Sequence, residues 1–306
     1  MAEAAGEAQA HPRWPALGVL VFGACVIGFS GAFTRLTGTG PAAAGFWRLA
    51  CALPLLAIMA KAATGAVGRP TRIALLVGLL FALDLGFWHY GLKYTSVAVS
   101  TVLSNLTPVV VTGFAWAVFK QRPGGLFLVA MAVAVGGAWM MGVGKGAGAP
   151  ELNAPLGNAL SLTTAFWYAL YFLAVSQARR SMAASRLMFW SSLVGAPLLL
   201  AAAALMGEQL WPTTWPEIAA CVGLGLIHIG GQGSIAWAMG RLPAALASVV
   251  VLVQPVVATY AGWLLFGEAL GPLQAAGAVV ALAGVVLAKW ASRPSLTLPS
   301  GEGGRA

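Results

Sequence analysis

Long apolar stretches fill this chain, each ended by a short break of polar, glycine or proline residues. Ten such stretches run at about residues 14–35, 41–61, 71–92, 97–119, 124–143, 157–178, 185–206, 217–239, 243–266 and 271–290. Each is close to the roughly 20 apolar residues a helix needs to cross bilayer hydrocarbon. The pattern predicts an all-α membrane protein with ten transmembrane helices. Residues 1–13 read as a polar, alanine-rich tail and 291–306 as a second tail. The first stretch, Trp14 to Phe33, is longer than the roughly 7–15 residues of a signal-peptide core. It reads as the first membrane helix.

The pattern also repeats. Shifted by 147 positions, Pro255 falls on Pro108, Thr259 on Thr112, Trp263 on Trp116, Phe266 on Phe119 and Gly284 on Gly137. Shifted by 143, Phe189-Trp190 and Pro197 fall on Phe46-Trp47 and Pro54. The copies cover 14–143 and 156–290, and a linker rich in Gly, Ala and Pro spans 144–155. Such a repeat decides the architecture before any local feature does. Five helices per copy is an odd number, so the second copy must enter the membrane upside down. The expected fold is two inverted five-helix repeats.

The second copy resembles the EamA domain of the drug/metabolite transporter superfamily. The Pro255 helix, its Phe266-Gly267-Glu268 end and the following helix with Gly277 and Gly284 carry the likeness. Arg48, after Phe46-Trp47, is similar to an arginine near the start of that family's second helix. The first copy departs from the pattern, with Lys120-Gln121 in place of the acidic turn. The resemblance covers nearly the whole chain. It implies ten helices, an inverted repeat and secondary transport, leaning towards amino-acid exporters, YddG-like aromatic amino acid exporters among them.

Composition agrees with the membrane class. Hydrophobic residues make up 59%, charged residues 8%, and mean hydropathy is +0.85, against about 25% charged in a soluble domain. A net charge of +9 would first point to nucleic acid. Nearly all the basic residues lie between apolar runs, however, where they set topology instead. With the N-terminus in the cytoplasm, 13 fall inside: Arg13, Lys61, Arg69, Arg72, Lys120, Arg122, Arg179, Arg180, Arg186, Arg241, Lys289, Arg293 and Arg305. Only Arg35, Lys93 and Lys145 fall outside, and Arg48 is intramembrane. Both termini are expected in the cytoplasm, with the protein in the inner membrane of the cell.

Polar groups at membrane depth are costly, and that makes them candidates. Asp84, the sole aspartate, lies in the third helix with Trp88 one turn on and His89 next to it. Asp84 reads either as a proton or substrate-ammonium site or as a hydrogen-bond acceptor between helices. His89 reads as a substrate contact or as an interfacial histidine. His228 and Gln232, one turn apart in the eighth helix, either line a cavity or join helices by hydrogen bonds. Arg48 either binds a carboxylate or is structural. In the fourth helix Thr101, Asn105, Pro108 and Thr112 form one stripe, which Ser248, Leu252, Pro255 and Thr259 repeat in the ninth. A proline frees a carbonyl one turn earlier, tolerated only where protein or a wet cavity satisfies it. Trp167 and Tyr171 share a face of the sixth helix and suit stacking against a substrate or packing between helices. The substrate path is therefore expected along His89, Asn105 and Trp167, with Trp88, Tyr171, Gln254, Asp84, His228 and Gln232 beside it.

Other chemistry finds little support. Cys25, Cys51 and Cys221 lie inside apolar runs without metal or disulfide spacing, so no cofactor or metal is expected. Gly142-Val143-Gly144-Lys145 lacks the phosphate-loop spacing. An intramembrane lipid-modifying enzyme would need clustered acids or histidines. Here the glutamates lie in tails, loops and helix ends. The expected partners are a small molecule, an amino acid or related metabolite or drug, and membrane lipid; nothing in the sequence fixes the oligomeric state, and a monomer satisfies it.

Overall fold

The structure is a computed structural model that describes residues 13–95, 100, 103–120, 122–144, 153–267 and 270–292. Among these, nine helices are long and apolar enough to cross a membrane, and a shorter apolar helix occupies the fourth place. In chain order they are α1 (Trp14–Leu36), α2 (Pro41–Thr64), α3 (Arg72–Gly91), α4 (Thr107–Val118), α5 (Gly125–Val143), α6 (Ala154–Ala178), α7 (Ala184–Leu205), α8 (Trp215–Met239), α9 (Ala244–Phe266) and α10 (Pro272–Ala291). No strand occurs among the described residues. The predicted tails, most of the linker, Thr101 and Glu268 lie outside the described residues. Large apolar side chains such as Ile58, Val118, Leu205 and Val279 are exposed around the bundle. Such a surface is suited to lipid, because helices satisfy their own backbone groups in hydrocarbon.

Local chemistry sets the helix ends. Prolines stand in the first turn of α2, α6, α8 and α10, where a missing N–H costs nothing. The Thr71 hydroxyl accepts from Ala74 N at 3.3 Å to start α3. The Asn153 side-chain oxygen Oδ1 accepts from Leu156 N at 3.2 Å to start α6. Thr214 and Glu217 form a capping box on α8. Helix α9 stops at Gly267, φ +64°, and α4 at Lys120, φ 56°. These two residues are equivalent in the 147-residue repeat.

The two halves pack by one scheme applied twice. α1 lies against α8 and α9, and α6 lies correspondingly against α3 and α4. α2 faces α7, and α5 faces α10, each helix meeting its own counterpart. The α5–α10 seam runs antiparallel, with Ala134 beside Gly284, Gly137 beside Ala281 and Met141 beside Gly277. The first two contacts exchange under the repeat. A side chain at either glycine would collide with backbone, so glycine is required for this close approach.

A hydrogen bond repeats in the same way. The Trp47 indole donates to Leu210 O at 2.9 Å, joining α2 to the α7–α8 connection. The Trp190 indole donates to Val67 O at 3.4 Å, joining α7 to the α2–α3 connection. Both donor and acceptor move by 143 positions. Around the first bond, the Glu208 carboxylate accepts from Ala43 N at 3.0 Å and from the Tyr90 hydroxyl at 2.6 Å. Beside the second, the Arg186 guanidinium donates to Arg69 O at 2.8 Å.

Candidate functional site

Four helices are broken, and two of the breaks shape the site. Pro108 cannot donate to the carbonyl of Ser104, and the chain turns at Asn105-Leu106 before α4 begins. The Thr107 hydroxyl donates to Ser104 O instead, at 2.8 Å. Pro255 does the same to Val251, and α9 turns at Val251-Leu252. There the backbone N–H of Gln254 supplies Val251 O at 2.9 Å. Helix α8 widens into a π-turn over His228–Gln232, in the glycine-rich run His228-Ile229-Gly230-Gly231-Gln232-Gly233. Such widened turns shift the register of side chains along a helix and often mark functional positions. The remaining breaks lie at Phe29 in α1 and at Cys51-Ala52 in α2.

A cavity with an empty volume of about 1130 Å³, open solvent included, lies where these irregularities meet. Both halves wall it. α1, α2, α3 and the α4 break contribute Ser30, Arg48, Phe81, Asp84, Trp88, Asn105 and Pro108. α6, α8 and α9 contribute Thr164, Tyr168, Gln232, Ser248, Leu252, Gln254, Pro255 and Thr259. The wall is largely apolar with a few convergent polar groups, as small-molecule sites are. The Asn105 side-chain nitrogen is buried without a protein partner, leaving a donor open. Arg48 is 5% and Asp84 7% exposed.

Of the expected site residues, Asp84, Trp88, Asn105, Gln232 and Gln254 reach this cavity together. Four others are not among the residues that line it. Tyr171 is fully buried, stacked on Tyr168 at 5.9 Å, and its hydroxyl accepts from Gln232 Nε2 at 2.9 Å. His228 stacks on Phe81 at 5.3 Å, with Nε2 3.0 Å from the Ser192 hydroxyl. Trp167 packs edge-on against Phe87 and Phe166, and its indole nitrogen has no protein partner. His89 sits against Trp88 and neighbours Gly45 of α2, with neither ring nitrogen partnered. In the proline stripes, Thr112 turns instead to Met131 of α5, whereas Ser248, Leu252 and Thr259 line the cavity.

Ser30, Phe81, Thr164 and Tyr168 line the cavity without having been singled out from the sequence, and Tyr168 is the largest polar side chain among them. Tyr168 belongs to the face marked by Thr164, one turn earlier, and Trp167 sits about 100° away around the helix. The polar threonine at membrane depth was the available signal. Among the described residues no group of three or more His, Cys, Asp or Glu gathers as a metal site.

The profile of the EamA-like transporter family matches residues 14–143 and again 155–290. The chain belongs to this family. The two matched segments divide the chain as its internal repeat does. An uncharacterised transporter of Archaeoglobus fulgidus is 24% identical over 226 residues, 72% of this chain and 78% of that protein. A crystal structure superposes with a TM-score of 0.76 over 90% of this chain and 98% of the other, at 18% identity, which shows a shared fold. As an EamA-like transporter the protein is a multi-pass membrane protein that handles a small molecule.

Proposed function

We propose that this EamA-like transporter is a secondary transporter of the inner membrane that exports amino acids, aromatic and other apolar ones, by alternating access. Residues 14–143 and 156–290 act as two inverted halves, with both termini in the cytoplasm. The observation that carries this reading is the cavity between the halves, flanked by the matched proline breaks of α4 and α9. Inverted-repeat transporters bind substrate near the midplane at such an interface, beside interrupted helices. The wall supplies aromatic faces from Phe81, Trp88 and Tyr168 and few fixed charges. Strongly anionic solutes would need several cations at depth, and among the described residues Arg48 is the one cation that lines the cavity.

The test is uptake into liposomes holding the purified protein, with a panel of labelled amino acids under varied pH gradients. Phenylalanine, tryptophan and leucine are expected to accumulate faster than glycine or glutamate. A protein that moves none of the panel while transporting other solutes would overturn the amino-acid assignment.

A further inference from the structure

The cavity wall carries an arginine and an aspartate, Arg48 and Asp84, that do not bind each other. Phe81 and Asp84 are one turn apart on α3, and both line the cavity. The Arg48 guanidinium carbon, from α2, lies 5.7 Å from the centre of the Phe81 ring. Both ionisable side chains therefore belong to one patch of wall. No hydrogen bond or ion pair within 4 Å joins them, and Arg48 Nε is buried with no acceptor at all. A buried charge is costly unless it is paired and hydrogen-bonded. A close Arg–Asp pair would be the cheap arrangement, and the structure does not adopt it.

We propose that Arg48 and Asp84 are a clamp for a zwitterion, Arg48 taking the carboxylate and Asp84 the ammonium. This rests on the amino-acid reading above and adds how the substrate is oriented. The planar guanidinium presents several N–H donors to a carboxylate, and the aspartate offers acceptors only. A zwitterion brings the complementary pair in one molecule, so both wall charges are satisfied without net charge entering the membrane. The substrate's side chain then projects along the aromatic wall of Trp88 and Tyr168. A molecule with one charged end leaves the other wall charge unpaired, and the site rejects it for that reason.

The experiment is equilibrium binding to the detergent-purified full chain, with L-phenylalanine, phenethylamine (no carboxylate) and 3-phenylpropionate (no ammonium) as probes. Each truncated probe is expected to bind at least about tenfold more weakly than phenylalanine. Arg48→Gln should bind phenethylamine as well as phenylalanine, and Asp84→Asn should bind 3-phenylpropionate as well as phenylalanine. Should either variant fail to fold, the three probes on the parental protein still decide the matter. Equal affinity for all three overturns the clamp and leaves the amino-acid reading standing. No binding of any probe, with no amino acid moved in liposomes, overturns both.

Discussion

Lys120 and Gly267 occupy the same place in the repeat, and only the glycine suits its backbone. A side chain in the left-handed region costs roughly 1–2 kcal/mol. Lys120→Gly is therefore expected to raise the thermal midpoint of the purified protein; an unchanged or lower midpoint would show that the lysine makes a compensating contact. Ser192→Ala tests the opposite case. It removes the hydroxyl from His228 Nε2, and His228 Nδ1 already lacks a partner. Leaving a buried polar group unsatisfied costs about 1–3 kcal/mol, so the midpoint should fall, while substrate affinity in the folded protein holds because neither residue lines the cavity. At this scale the sequence was only partly legible. The cost of polar residues in apolar helices singled out Asp84, Asn105 and Gln232, which reach the cavity, and equally His89 and His228, which do not. Rotational phase was not announced. Trp167 and Tyr168 are neighbours in sequence, and only packing, of Tyr168 against Tyr171 and Phe172 and of Trp167 against Phe87 and Phe166, decides which of them meets the cavity.

Helices were easier to read than side chains. Apolar run length placed all ten, because hydrocarbon thickness dictates it, and the described ends of most lie within a few residues of those expected. The proline positions also located the breaks in α4 and α9. The π-turn in α8 was not foreseen, since Gly230-Gly231 permits it without requiring it. Pro108→Ala and Pro255→Ala should restore the missing backbone bonds and stiffen both breaks. Transport rate is expected to fall several-fold in each, with equilibrium affinity for the substrate changed less. Binding assays and liposome rates on the same preparations check this; equal losses in both would assign the prolines to the site's shape rather than its motion.

For the whole molecule, the proposed topology places the α5–α6 and α7–α8 connections on the outer face. Phosphatase fusions after Lys145 and after Glu208 should both be active, because that enzyme works only outside; inactivity of either would contradict the inverted arrangement. The twice-made bond from Trp47 to Leu210 and from Trp190 to Val67 bears on how such a molecule arises. Two identical five-helix chains meeting about a two-fold axis would make every contact of this kind in pairs. In such a dimer any substitution appears on both faces at once, so neither face can acquire a character of its own. Joining the units end to end lifts that restriction. One latch now carries Glu208 with Tyr90, and the other carries Arg186 and Arg69. The surroundings of a shared bond have become acidic at one end and basic at the other, and a bilayer that retains positive charge on its cytoplasmic side can then tell two otherwise interchangeable ends apart.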